Sequence, residues 1–168
     1  MKQHGKSLTH AALIAAMYVV LTHFQNILIP DSTSWAIQFR ASEALCVLAF
    51  FTPAAIPGLT VGCFLFNLTY AAALPLDALM GSIATAIACG AMYKTRNIKW
   101  KDIPVLGLLM PALSNALLIG WELTVYIGNS FVLNAVYVAI GEITVLGTLG
   151  VLVYTAIKKR KLDVRLFG

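Results

Sequence analysis

Five stretches of this chain, residues 11–29, 44–76, 78–93, 103–121 and 123–141, contain no aspartate, glutamate, lysine or arginine. A helical crossing of a bilayer's hydrocarbon core needs about 20 predominantly apolar residues, so these stretches supply several crossings. With 60% hydrophobic and 11% charged residues, the chain lacks the polar surface of a water-soluble domain. The first stretch is too long for the core of a secretory signal, and Pro30 and Asp31 follow it without a small-residue cleavage site, so it is expected to persist as a mature helix. Cys46, Cys63 and Cys89 stand singly inside apolar runs and read as buried packing residues, not as a zinc or redox pair.

Eleven of the twelve Lys and Arg residues fall in three clusters: Lys2 and Lys6; Lys94, Arg96, Lys99 and Lys101; and Lys158 to Lys161 with Arg165. This clustering accounts for the formal charge of +5 through membrane topology and argues against nucleic acid as a partner. The positive-inside rule puts all three clusters in the cytoplasm, which requires an even number of crossings between them. Two helices fit between the second and third clusters, turning near Gly128, Asn129 and Ser130. Four fit between the first and second, because two would leave about fifty largely apolar residues in one crossing. The expected fold is therefore all-α and polytopic: a single membrane domain over 1–168, with six helices near 7–29, 42–52, 57–73, 75–93, 104–126 and 131–157 and both termini cytoplasmic. Pro53 and Pro57 separate the second and third helices, and Pro111 is expected to kink the fifth.

Polar groups inside a membrane need a reason, since a carboxylate at the bilayer centre costs about 2.5 to 3.5 kcal/mol. In this topology Asp31, Glu43, Asp77, Glu122 and Glu142 all lie in the outer half or near the middle, together with Arg40, the one basic residue outside the clusters. On the fifth helix Asn115, Ile119, Glu122 and Tyr126 form one stripe, which should face protein. On the sixth, Asn134, Tyr137 and Gly141 share a face with Glu142 just beside it, and Asn67 and Asp77 lie at comparable outer depths. Simpler roles exist for each. Glu43 could neutralise Arg40, Glu122 could reach interfacial water, Asp77 could favour its helix dipole, and Asn67 and Asn115 could tie helices together. Glu142 is the hardest to explain this way, having nothing basic on its own helix to neutralise it. His10 and His23 lack a matching carboxylate pair, so no metal site is expected. No nucleophile with a base is evident, so a membrane enzyme is not expected either. Ala11, Ala12, Ala15 and Ala16 make two overlapping small-xxx-small pairs, which suit close approach of another helix of this chain or of a second protein.

The runs 38–45 (QFRASEAL), 52–59 (TPAAIPGL) and 76–82 (LDALMGS), with Gly141 and Glu142, resemble the QueT family, associated with uptake of queuosine precursors. More broadly the chain resembles the substrate-binding S components of energy-coupling factor (ECF) transporters. The resemblance implies that Ala11, Ala12, Ala15 and Ala16 contact a transmembrane coupling protein driven by two cytosolic ATPases. This chain carries no GxxxxGK[ST] phosphate loop, so ATP would be used by those partners and no cofactor is expected here. The implied ligand is queuine or a simpler 7-deazaguanine. A carboxylate suits its adjacent N–H donors, with Glu142 the first choice and Glu43 or Asp77 available for a cationic side arm. Asn67 and Asn115 would read the ring, and Phe39, Trp35, Trp121 or Tyr137 would stack on it. The alternatives are an S component for another vitamin or nucleobase, and a self-sufficient proton-coupled transporter with Glu142 as its carrier acid.

Overall fold

The computed structural model describes residues 2–30, 32–33, 37–70 and 72–167, so Asp31 and Trp35 lie outside the described residues, as does the Lys2 side chain. Helices account for every element and no strand occurs among the described residues. An isolated antiparallel bridge joins Trp100 to Ile103. In chain order they are α1 (Lys2–Leu28), a 3₁₀ helix (Ala41–Phe50), α2 (Ala55–Thr69), α3 (Asp77–Thr95), α4 (Val105–Leu108), α5 (Met110–Tyr126), α6 (Phe131–Val145), a π turn (Leu146–Gly150), α7 (Val151–Lys159) and α8 (Leu162–Phe167).

Three helical stretches, Gly5–Leu28, Val105–Tyr126 and Phe131–Lys159, are long and apolar enough to cross a membrane. Large apolar side chains cover the outside as well as filling the core, unlike those of a water-soluble protein. Leu13, Val20, Phe24, Leu117, Val132 and Leu152 are exposed, while Glu43, Asn67, Asn115, Glu122 and Glu142 are buried. An apolar exterior around a polar interior is what a lipid environment selects.

The segment expected as a short α-helix over 42–52 is instead a ten-residue 3₁₀ helix. At about 2.0 Å per residue it reaches roughly 20 Å, against roughly 15 Å for the same residues in an α-helix. It touches α1, α2, α3, α6, α7 and the π turn, and Ser42 to Phe50 are all buried, so it is the central element of the bundle. Around it α1 packs on α2, α2 on α3, α3 on α5 and α5 on α6.

Glycines set these approaches. A Cβ on Gly58 would stand 2.7 Å from the Ala11 carbonyl oxygen, and one on Gly62 would stand 2.8 Å from the Tyr18 Cβ and 3.0 Å from the Ala15 carbonyl oxygen. The two alanine pairs therefore part company: Ala11 and Ala15 are taken up by α2 of the same chain, whereas Ala12 and Ala16 remain exposed. On the other side, a Cβ on Gly120 would come within 2.9 Å of the Ala135 Cα, which seats α5 against α6.

Pro111 acts as expected: the fifth helix breaks at Leu109 into α4 and α5, with the proline in the first turn of α5. The third helix stops at Thr69 rather than 73, where Tyr70 turns extended. The basic clusters converge on one end of the bundle. Lys6 and Arg165 line one cavity there, and Lys99, Lys101, Lys158 and Lys159 line another.

Candidate functional site

Arg40 and Glu43 are held by a network that starts on α1. Tyr18, Thr22 and Gln25 follow one another at intervals of four and three, which aligns them on one face. The Tyr18 hydroxyl donates to Glu43 Oε1 at 2.6 Å, and Thr22 Oγ1 bonds Ser42 Oγ at 2.7 Å. The Gln25 amide nitrogen donates to Ser32 Oγ and to the Phe39 carbonyl, and its oxygen accepts the Ala41 N–H at 2.7 Å. One helical turn further along the 3₁₀ helix, the Cys46 thiol reaches Glu43 Oε2 at 3.2 Å. Glu43 and Arg40 make no direct ion pair, since no carboxylate among the described residues lies within 4.0 Å of that guanidinium. Arg40 instead donates to the Thr33 carbonyl at 3.3 Å and sits 5.7 Å from the centre of the Phe66 ring.

Facing this network, Asn115 on α5 donates its amide to Glu142 Oε1 on α6 at 2.5 Å. The other carboxylate oxygen, Oε2, is buried and has no hydrogen-bond partner. Gly141 lets the chain pass: a Cβ there would collide with the Gln38 carbonyl, so the Gln38 backbone lies directly on α6. Arg40, Glu43, Cys63, Thr85, Asn115 and Glu142 thus line one cavity, drawn from the 3₁₀ helix, α2, α3, α5, α6 and the loop before the 3₁₀ helix. Its free space is about 10 Å³, room for a single water.

A second polar group adjoins the first. Asn67 on α2 donates to the Asp77 carbonyl at 3.2 Å and to Cys63 Sγ at 3.4 Å, and Gly81 on α3 packs against its amide. Asp77 Oδ2 accepts the Leu74 N–H at 2.6 Å, closing the turn that leads into α3. α3, which begins at Asp77, packs on α5, which carries Glu122. Glu122 is fully buried with neither oxygen hydrogen-bonded, which corrects the expectation that it reaches interfacial water.

Not every predicted site residue joins these groups. Asn134 donates to Thr124 Oγ1 at 3.1 Å and to the Gly128 carbonyl at 3.0 Å, which commits its amide to the α5–α6 turn instead of the cavity. Trp121 is 46% exposed on the bundle's outer surface, and Tyr137 and Phe39, both half-buried, do not line the cavity. His10 rests edge-on against Phe167, while His23 pairs with Thr69 and packs on Phe66. Tyr18, Gln25, Gln38 and Thr85 were not predicted. Tyr18 and Gln25 carried a signal, a polar stripe at helical spacing within an apolar helix, of the same kind as the one on α5. Gln38 contributes through its backbone, which no residue type announces.

A family model described as QueT transporter matches residues 8–159. No curated protein sequence and no solved structure matches the chain significantly.

Proposed function

The chain belongs to the QueT transporter family, and from that premise we propose that it is the substrate-capturing S component of an ECF-type importer, binding a queuosine precursor at the cavity between the 3₁₀ helix and α6. Its six helical segments cross the membrane with both termini in the cytoplasm, which puts the basic end of the bundle inside and the acidic groups toward the outside. A transmembrane coupling protein docks on the exposed Ala12 and Ala16, and two cytosolic ATPases supply the energy.

One observation carries this reading: a buried glutamate whose Oε2 faces no donor, fixed by Asn115 at the wall of a polar cavity. A guanine-like edge presents adjacent N–H donors, and Oε2 of Glu142 accepts one of them. If Asn115 releases Oε1, the carboxylate grips the pair and the amide turns to the ring. Arg40 supplies a donor for the ring carbonyl, and Glu43 holds a cationic aminomethyl arm.

The test is binding of queuine, its aminomethyl precursor, guanine and riboflavin to the purified chain, repeated with Glu142→Gln. Queuine or its precursor should bind best, and the substitution should weaken binding by roughly 1.5 to 3 kcal/mol. Riboflavin binding preferentially would reassign the ligand, and an unchanged affinity would falsify the role of Glu142.

The same buried Glu142, with Oε2 unpartnered, favours a second reading, a self-sufficient proton-coupled transporter in which Glu142 carries the proton. Uptake into liposomes containing the chain alone, driven by a pH gradient, separates the two.

A further inference from the structure

The basic end carries two cavities that share a wall. One, of about 470 Å³, is lined by Lys99, Lys101, Lys158 and Lys159 with Asp102 as its one acid. The other, of about 260 Å³, is an almost wholly apolar groove bounded by Leu108, Leu109, Ile143, Leu146 and Val151. Lys101 and Ile103 line both.

The groove has a backbone cause. The break at Leu109 opens one side, and on the other Gly147, within the π turn, has no atom within 4 Å of where a Cβ would lie. The mouth is held in a rare conformation: Lys101 and Asp102 have φ of 48° and 65°, left-handed values that non-glycine residues seldom adopt. The Trp100 and Ile103 backbones bond each other at 2.9 and 3.1 Å, and the Tyr154 hydroxyl donates to the Asp102 carbonyl at 3.2 Å. Trp100 is 68% exposed beside this mouth, as an aromatic residue at a membrane boundary would be. Lys158 is paired with Asp163 at 2.6 Å, while Lys99, Lys101 and Lys159 have no carboxylate within 4.0 Å among the described residues.

We propose that these joined cavities bind one anionic diacyl phospholipid, its phosphate at Lys99, Lys101 and Lys159 and one acyl chain in the groove over Gly147. An apolar slot opening into clustered lysines matches an acyl chain joined to a phosphate, and a basic pocket at the cytoplasmic boundary draws anionic headgroups.

The full chain, purified and delipidated in detergent, is offered equal amounts of phosphatidylglycerol and phosphatidylcholine, and retained lipid is counted by native mass spectrometry. One phosphatidylglycerol per chain should be retained in preference. At about fivefold per lysine, Lys99→Gln with Lys159→Gln should weaken that retention about 25-fold. Gly147→Leu, which fills the groove without touching a lysine, should reduce it as well, and thermal unfolding in phosphatidylcholine shows whether each variant is folded. Equal retention of the two lipids, or retention unaltered in either folded variant, overturns the proposal. So does displacement of the lipid by millimolar inorganic phosphate, which would mark a pocket for free anions, or lysine variants that keep the lipid but lose a copurifying protein.

Discussion

At the scale of single residues, the site depends on groups that satisfy one another inside an apolar surround. Tyr18 is fully buried and donates its hydroxyl to Glu43 Oε1. Tyr18→Phe leaves that oxygen buried without its donor, so thermal unfolding in detergent should show a loss of about 1–3 kcal/mol. Thr22→Val removes the bond to Ser42, and its smaller loss would identify Glu43 as the more demanding partner. Gly141→Ala tests the wall of the cavity. Its methyl group collides with the Gln38 carbonyl, a backbone atom without rotamers to escape through, so overpacking should cost about 1–3 kcal/mol and displace residues 38–40. A variant with wild-type unfolding and wild-type ligand affinity would show that this loop does not rest on α6.

Among elements, α1 has two faces, one packed on α2 through Ala11 and Ala15 and one exposed at Ala12 and Ala16. Gly58→Leu or Gly62→Leu drives a side chain into the backbone of α1 near Ala11 and Ala15, and the yield of folded protein should collapse. Ala12→Leu and Ala16→Leu enlarge exposed positions, so the purified chain should unfold at its usual temperature. Copurification with the coupling protein should nevertheless fall, and an undiminished complex would move the docking surface elsewhere. The alanine spacing was legible in the sequence, but its division between an internal and an external face was not, because four alanines one turn apart present small side chains on both. The 3₁₀ helix was hidden for a different reason. After Glu43 this segment is buried on every side and its residues 44–50 are all apolar, so they carry no periodicity from which a pitch could be read.

For the whole molecule, the convergence of the basic clusters on one end gives a direct topology experiment. Cys46, Cys63 and Cys89 are at most 1% exposed, so a membrane-impermeant maleimide should leave the native chain unlabelled. A cysteine placed at Ser130, in the α5–α6 turn, should react from outside intact cells, and one at Lys99 only after permeabilisation. Labelling of Lys99→Cys from outside would invert the bundle and turn the acidic groups toward the cytoplasm. At the basic end Lys158 holds the Asp163 carboxyl below the usual carboxylate range. The α8 contact is therefore present at neutral pH and lost only on acidification below the ordinary titration of aspartate.

The sequence by itself determined the helical, membrane-seeking character of the chain, the places of its main breaks, and the short list of buried polar residues that includes Glu142, Asn115, Glu43, Asp77 and Asn67. These are local properties: the length of an uncharged run, the missing N–H of proline and the desolvation of a carboxylate depend on a residue and its near neighbours. Only the tertiary structure decided that Glu142 pairs with Asn115, that Glu43 accepts a hydrogen bond from Tyr18, that Asn134 closes a turn, and that the Gln38 backbone meets α6 at Gly141. Such pairings follow from the distance and rotation between elements far apart in the chain, and those are set by backbone approach at glycines and by the 3₁₀ and π geometry.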